Sequence, residues 1–155
     1  MITKISSDFE DLFVVLNKHK VRYLLIGAYA TIHYTVPRYT KDIDIFADAS
    51  IANARRLYKA LKEFGAPLKD VGVNYFTDQR SVFQIGVAPV RIDILCGLES
   101  ISFKAAWKNR LQTLYGSTKI NVIGVGDLIG VKEAAKRPID IIDLARLKKR
   151  FYKQI

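Results

Sequence analysis

The chain has 155 residues, half of them apolar, which fits one globular domain built around a single core. Its net charge of +10 favours an anionic partner such as a nucleotide, a nucleic acid or an acidic protein, although charge also keeps a small protein soluble. No apolar run approaches about 20 residues and the start lacks a secretory layout, so neither a membrane partner nor export is expected. One cysteine, Cys96, excludes an internal disulfide and favours a cytoplasmic location.

The first half of the chain alternates helical and extended patterns. Ser7 and Glu10 have capping-box spacing, and the apolar residues after them recur at helical intervals. Gly65 stops a later amphipathic segment, as glycine does at helix ends. In chain order we expect helix 7–19, strand 21–26, helix 28–34, a strand over 42–46 that contains both Asp42 and Asp44, and helix 51–64.

The second half begins with β-rich segments and ends with helices. Extended segments are predicted at 73–76, 82–85, 90–95 and 120–123, with a turn over 86–89. Asp127 can cap a helix that runs to Lys136, and Pro138 can begin another. This order predicts an α+β fold over residues 1–155: a mixed β-sheet with flanking helices and a C-terminal helical segment.

Two aspartates interrupt the second predicted strand. Side chains alternate along a strand, so Asp42 and Asp44 share one face while Ile43 and Ile45 enter the core. Two carboxylates roughly 7 Å apart on one face repel each other unless a cation lies between them. Such oxygen ligands suit Mg²⁺, although solvated aspartates on an exposed strand would give the same pattern.

A third carboxylate lies on a later aliphatic strand. Asp93 stands between two isoleucines, where it is costly to bury without a partner. If this strand lies beside the first, the three aspartates form a site that can hold two cations for an in-line phosphoryl displacement. The alternative is a strand edge facing water.

Gly27 lies where a predicted strand gives way to a helix. Free N–H groups at a helix start bind phosphate, and glycine lets the backbone approach it. Arg38 and Thr40, shortly before the aspartate pair, are candidates for contacting phosphates or for a plain loop role. Asp140 and Asp143 share a face of the last helix, as nucleotide-site residues or as partners of nearby arginines.

These residues together resemble the signature of the DNA polymerase beta-like nucleotidyltransferase superfamily. The turn at Gly27 and Ala28, the Asp42-x-Asp44 pair and the distal Asp93 look like its Gly-Gly or Gly-Ser turn, Asp-x-Asp motif and third carboxylate. The segment 25–42 looks especially like the minimal bacterial branch that includes the abortive-infection (type IV) toxin nucleotidyltransferases. Residues 132–143 look like that branch's Lys and Arg-x-x-Asp-x-x-Asp motif.

The resemblance implies a role for each matching residue. Gly27 and the backbone at Ala28 would contact the triphosphate, with two Mg²⁺ ions held when NTP is bound. The other implied roles are metal binding by Asp42 and Asp44, metal binding and activation of the acceptor hydroxyl by Asp93, neutralisation of phosphate charge by Lys132, and orientation of the lysine or the nucleotide by Asp140 or Asp143. Ala28 departs from the family pattern, because it replaces the second Gly or Ser.

The implied reaction transfers a nucleoside monophosphate from an NTP to an acceptor hydroxyl. The acceptor could be the 3′ end of an RNA such as tRNA, a protein or a small molecule, and the basic charge favours RNA. The branch also implies a toxin with a cognate antitoxin. The alternative is a catalytically silent nucleotide- or RNA-binding module, or an antitoxin of the same fold, which Ala28 favours. A drug-modifying transferase would need an acidic pocket for a cationic substrate, which the basic balance argues against.

Overall fold

The computed structural model describes residues 7–35, 42–86 and 91–153. Its helices are α1 (Ser7–Lys18), α2 (Gly27–Tyr34), α3 (Ile51–Phe64), α4 (Phe103–Lys108), α5 (Val125–Ala135) and α6 (Pro138–Lys153). Its strands are β1 (Tyr23–Ile26), β2 (Asp42–Ala47), β3 (Val82–Ile85), β4 (Arg91–Leu95), β5 (Leu111–Tyr115) and β6 (Thr118–Val122). This architecture confirms the predicted α+β class.

All six strands form one mixed sheet in the order β3-β4-β2-β1-β6-β5. The central strand β2 pairs antiparallel with β1 and parallel with β4. A parallel pair brings the starts of its two strands to the same sheet edge, and an antiparallel neighbour ends there. The end of β1 therefore lies beside the starts of β2 and β4, and Ile26 pairs with Asp44.

The register of β2 follows from its alternating side chains. Ile43 and Ile45 are fully buried, whereas Asp42 and Asp44 on the other face are only partly buried. A slip of one residue would exchange these sets and place two carboxylates in the core. Burying each isoleucine contributes about 1.5 to 3 kcal/mol, so the correct register is strongly favoured.

Helices α1 and α3 pack against each other, and α1 also packs on the sheet. Phe13 of α1 lies against the rings of Tyr23 and Tyr115, which come from strands β1 and β5. Helix α3 ends at Gly65 as predicted, where this glycine adopts the left-handed conformation, and at its start the Ser50 hydroxyl accepts a hydrogen bond from a first-turn N–H group. These contacts bury the face of the sheet against which α1 packs.

The two C-terminal helices are separate, since the chain reverses sharply between them. Helix α5 ends at Ala135, Lys136 adopts a left-handed conformation with φ of 55°, and α6 begins at Pro138. The predicted capping role of Asp127 is wrong: Gly124 occupies the N-cap, and Asp127 accepts a hydrogen bond from the Asn109 side chain. None of the described helices is both long enough and apolar enough to cross a bilayer.

Segment 73–76, predicted as extended, is instead part of a 3-10 turn spanning Val73–Thr77. The Tyr75 N–H donates to the Gly72 carbonyl, and the buried Phe76 ring packs edge-on against Phe83. This aromatic contact stabilises the turn, and no neighbouring strand pairs with the segment among the described residues. Helix α4 and strand β5 were not predicted, and most of the predicted turn at 86–89 lies outside the described residues.

Candidate active site

Three aspartates lie on one face of the sheet, at the edge where β1 ends and β2 and β4 begin. Asp44 of β2 is paired directly with Asp93 of β4, and Asp42 is paired with Arg91. Alternation along β2 puts Asp42 on the same face as Asp44. Asp93 is buried, with 8% of its surface exposed, whereas the Asp42 side chain is about half exposed. The parallel register thus brings together carboxylates that are distant in the sequence.

Burial and like charge make Asp44 an unusual carboxyl group. Burial raises its pKa to about 6, with further contributions from the nearby Asp93 and Asp42. The positive charges of Arg137 and Arg91 act in the opposite direction but do not cancel the increase. A cation bound beside Asp44 would offset both the burial and the like charges, and would favour the ionised carboxylate.

Arg91 contacts two of the three carboxylates, those of Asp42 and Asp93. Its Nη2 atom is 3.7 Å from Asp42 Oδ2, and its Nε atom is 3.3 Å from Asp93 Oδ1. The second contact is an ion pair without hydrogen-bond alignment, since buried Arg91 Nε and Asp93 Oδ1 both lack a hydrogen-bond partner among the described residues. Asp93 thus keeps an oxygen that can bind another ligand.

Gly27 begins α2 directly against this cluster. It has a φ of +69°, which favours glycine, and a Cβ atom built there would lie 2.2 Å from Asp44 Oδ2. The N-cap residue of α2, Ile26, provides no side-chain hydrogen bond to the first turn of the helix. The N-terminus of α2 is therefore an uncapped set of N–H donors beside the carboxylates, and Ala28 is its next residue.

A cavity of about 280 Å³ opens over the cluster. Its charged lining residues are Asp44, Asp93, Lys132 and Arg137, and Gly27 also borders it. The remaining lining is apolar: Ile26, Val82, Leu95, Leu98, Leu128, Val131 and Ala135. Apolar walls exclude water and strengthen the electrostatic interactions inside.

A second cavity, of about 330 Å³, lies where β2 and β4 end. Its lining mixes apolar residues with polar ones, among them Asp48, Cys96 and Lys104, and it lacks the paired aspartates. Burial raises the pKa of the Cys96 thiol to about 11, so this thiol is not an activated nucleophile. The smaller cavity therefore has the stronger claim to chemistry.

Lys132 faces the cavity from α5 but is held by two aspartates of α6. Its Nζ atom lies 3.4 Å from Asp140 Oδ1 and 3.2 Å from Asp143 Oδ2, and all three side chains are buried. This network joins the two helices across the turn at Lys136. Asp140 and Asp143 therefore both orient the lysine.

Arg137 completes the network and extends it into the cavity. Its Nε and backbone N–H both donate to Asp140 Oδ2, at 2.9 and 3.0 Å, while most of its side chain stays exposed. Burial raises the pKa of Asp140, but the hydrogen bonds from Arg137 and the charges of Arg137 and Lys132 outweigh it, leaving a lowered pKa. Asp140 therefore stays ionised and fixes the guanidinium next to Asp44.

Sequence reasoning assigned no site role to either Arg91 or Arg137. Arg137 carried a signal, as the first residue of the Arg-x-x-Asp motif, but only the packing of α6 brings it near Asp44. Arg91 carried none, because its role depends on the pairing of β4 with β2. Arg38 and Thr40 lie outside the described residues.

The residues present fit a magnesium ion, although they do not form a closed cage. No group of three or more His, Cys, Asp or Glu side chains within the described ranges is arranged to enclose a metal. Mg²⁺ keeps several waters and is usually bound through one or two carboxylates plus substrate phosphates, so an open site is adequate. Asp44 and the unbonded oxygen of Asp93 could supply those carboxylate ligands, with Asp42 at the solvent side.

Two solved structures share this fold. The lincosamide antibiotic adenylyltransferase LnuA, in its lincomycin-bound form, aligns over 94% of this chain and 98% of its own, with a TM-score of 0.57 and 17% identity. Thermotoga maritima TM1012, assigned to the nucleotidyltransferases, aligns over 98% and 97% respectively, with a TM-score of 0.57 and 15% identity. At such identities the likeness establishes the fold alone.

The sequence itself defines the family. None of the curated proteins matches it. The family described as "Nucleotidyltransferase of unknown function (DUF6036)" matches residues 2–155, nearly the whole chain. The chain belongs to this family, and the predicted membership of the nucleotidyltransferase superfamily is confirmed.

Proposed function

We propose that this nucleotidyltransferase moves a nucleoside monophosphate from an NTP to the 3′-hydroxyl of an RNA, in a Mg²⁺-dependent reaction at Asp42, Asp44 and Asp93. The observation that carries the proposal is the pairing of Asp44 with Asp93 beside the uncapped start of α2 at Gly27. Carboxylates for a cation and N–H donors for phosphate are the two requirements of this chemistry.

The reaction forms a bond between the acceptor oxygen and the α-phosphorus and breaks the bond from that phosphorus to the bridging oxygen. Pyrophosphate leaves, and the hydroxyl proton passes to Asp93, which has an oxygen free of hydrogen bonds. Mg²⁺ bound to the aspartates would activate the attacking oxygen and neutralise charge on the triphosphate. The N–H groups at Gly27 and Ala28 would hold the phosphates in line for attack.

Basic side chains that line the cavity support the same reaction. Arg137 lies near Asp44 with most of its side chain exposed, so it can pair with a leaving pyrophosphate. Lys132 lines the same cavity, and its ion pairs with Asp140 and Asp143 fix the position of its ammonium group. In this assignment those two aspartates act on the lysine and do not contact the nucleotide.

RNA is the acceptor class that the charge of the chain favours. A net charge of +10 provides non-specific attraction to a polyanion and opposes a cationic small molecule. The lincomycin-bound relative nevertheless shows that this fold also serves in an enzyme named for an antibiotic acceptor. A toxin role, with an antitoxin as partner, is part of the proposal and rests on the sequence resemblance.

The decisive experiment incubates the purified protein with Mg²⁺, each α-labelled NTP in turn, and total cellular RNA, total protein or lincomycin. We expect label to appear on RNA in the Mg²⁺-containing reaction and to be lost with EDTA. The Asp93→Asn variant should lose transfer roughly 10² to 10³-fold. The matched control is Asp78→Asn, a surface aspartate paired with Arg80, which should retain full activity.

Other outcomes separate the alternatives. Label on lincomycin or on protein would refute the RNA acceptor while preserving the reaction. Binding of NTP or RNA without transfer to any acceptor would establish the silent binding module, which the alanine at position 28 favours. Full transfer by Asp93→Asn would show that the site is wrongly assigned.

A further inference from the structure

We propose that Arg91 is an internal counter-cation that competes with the metal for Asp42 and Asp93 and pairs with the NTP triphosphate once the metal displaces it. This inference rests on the proposed function, because it concerns the same carboxylates. Competition by Arg91 would make the metal bind weakly on its own and bind well only together with the nucleotide.

The competition follows from where the guanidinium lies. One nitrogen of Arg91 lies close to Asp42 and another lies close to Asp93, so the guanidinium bridges these two carboxylates. Both strands begin at this edge and the three side chains share one face, so an incoming cation must approach the same oxygens. A divalent ion and a guanidinium cannot both occupy the closest positions, because their charges repel.

The contact between Arg91 and Asp93 is also easy to replace. Although the atoms lie 3.3 Å apart, neither Arg91 Nε nor Asp93 Oδ1 has a hydrogen-bond partner among the described residues. The attraction is thus Coulombic and without the directional bond that holds Arg137 on Asp140. Exchanging it for a metal–oxygen contact costs no aligned hydrogen bond.

The nucleotide provides the second position for the guanidinium. The Arg91 side chain is 39% exposed, so it can withdraw toward solvent without leaving a cavity in the core. It stands two residues before Asp93 on the same face, within reach of any triphosphate that spans the metal and the start of α2. Arginine binds phosphate through a planar fork of donors, so the displaced side chain gains a strong anionic partner.

The test measures metal and nucleotide affinity separately in Arg91→Gln. Mn²⁺ binding without nucleotide is followed by electron paramagnetic resonance, and ATP binding with non-reactive Ca²⁺ by calorimetry. An opposite charge at 4 to 6 Å shifts a carboxylate equilibrium by about 1 to 3 pKa units, so Arg91→Gln should bind Mn²⁺ about tenfold more tightly. It should bind ATP several-fold more weakly, and Arg91→Lys should restore part of both values.

A matched control is Arg80→Gln, which removes the same charge from an exposed arginine–aspartate pair away from the cluster. It should change neither affinity. Thermal melting in EDTA and in Mn²⁺ provides a further measurement: Arg91→Gln should melt lower than the wild type in EDTA and gain more from Mn²⁺. A variant that merely loses structure would melt lower under both conditions and bind Mn²⁺ more weakly.

The outcomes are distinct. Unchanged or weaker Mn²⁺ binding by Arg91→Gln overturns the competition, even when the wild type binds metal and transfers nucleotide. Tighter Mn²⁺ binding with unchanged ATP affinity overturns the pairing with the triphosphate. A wild type that binds no Mn²⁺, with or without ATP, overturns this inference together with the proposed metal site.

Discussion

Replacing Asp44 by Asn removes one charge from the carboxylate cluster and keeps the shape of the side chain. The pKa of Asp44 rises from 3.8 to about 6 in the folded protein. A shift of about two units corresponds to roughly 3 kcal/mol of unfavourable interaction with the ionised form. Since Asp44 is partly exposed, we expect metal-free Asp44→Asn to be about 1 to 3 kcal/mol more stable than the wild type at pH 7.5.

The pH dependence gives the sign of the effect. The neutral form of Asp44 is favoured in the folded state, so the stability it contributes is present below pH 3.8 and is lost as the pH rises through about 6. The advantage of Asp44→Asn should therefore shrink at pH 4.5. Thermal melting in EDTA at both pH values measures it, at about 2 to 4 °C per kcal/mol for a chain of this size.

The same variant should lose catalysis while it gains stability. Loss of one electrostatic group at the reacting centre typically costs roughly 10² to 10³-fold in rate. Mg²⁺ should raise the melting temperature of the wild type more than that of Asp44→Asn. The Asp78→Asn control should show no gain in stability, because a hydrogen bond from Arg80 lowers the pKa of that carboxyl. Equal melting of Asp44→Asn and wild type at pH 7.5 in EDTA would refute the reasoning.

Two further substitutions test the surroundings of the cluster. Gly27→Ala should weaken ATP binding and destabilise the fold by more than about 1 kcal/mol, because the new side chain combines a positive φ with a clash against Asp44. The control is Gly65→Ala, which is also at positive φ but has open space around it. It should cost only about 1 kcal/mol and leave the ATP affinity measured by calorimetry unchanged. Lys132→Met leaves two buried carboxylates without their shared cation. It should lower the free energy of unfolding, measured by urea titration, by about 3 to 5 kcal/mol. Lys148→Met removes a lysine from an exposed ion pair and should lower the same free energy by less than about 1 kcal/mol. Equal losses for the two lysine variants would contradict the buried network, and unchanged ATP binding by Gly27→Ala would remove that glycine from the site.

The sequence predicted what depends on local alternation. Asp42 and Asp44 had to share a face once the segment was recognised as a strand, because isoleucines occupy the intervening positions. The start of α2 at Gly27 and that of α6 at Pro138 were likewise predictable, since glycine permits the positive φ of the turn and proline fixes a φ suited to the first helical position.

Pairing between distant segments could not be read in the same way. The pairing of Asp44 with Asp93, and the position of Arg91 between two carboxylates, depend on a parallel register that no single segment encodes. The prediction of a strand at 73–76 was wrong for a related reason. Its β-branched and aromatic residues favour a strand, but the segment forms a 3-10 turn in which the buried Phe76 ring packs on Phe83.

The parallel pairing of β2 with β4 also affects the order of folding. It joins residues about fifty positions apart, and contacts this distant in sequence form late and slowly. Repulsion between Asp44 and Asp93 arises only when these two strands meet, so it acts on the step that completes the centre of the sheet. A divalent ion or mild acid should therefore shorten the refolding time of the chain if the strand pair is formed in the transition state, and slow its unfolding if it is not.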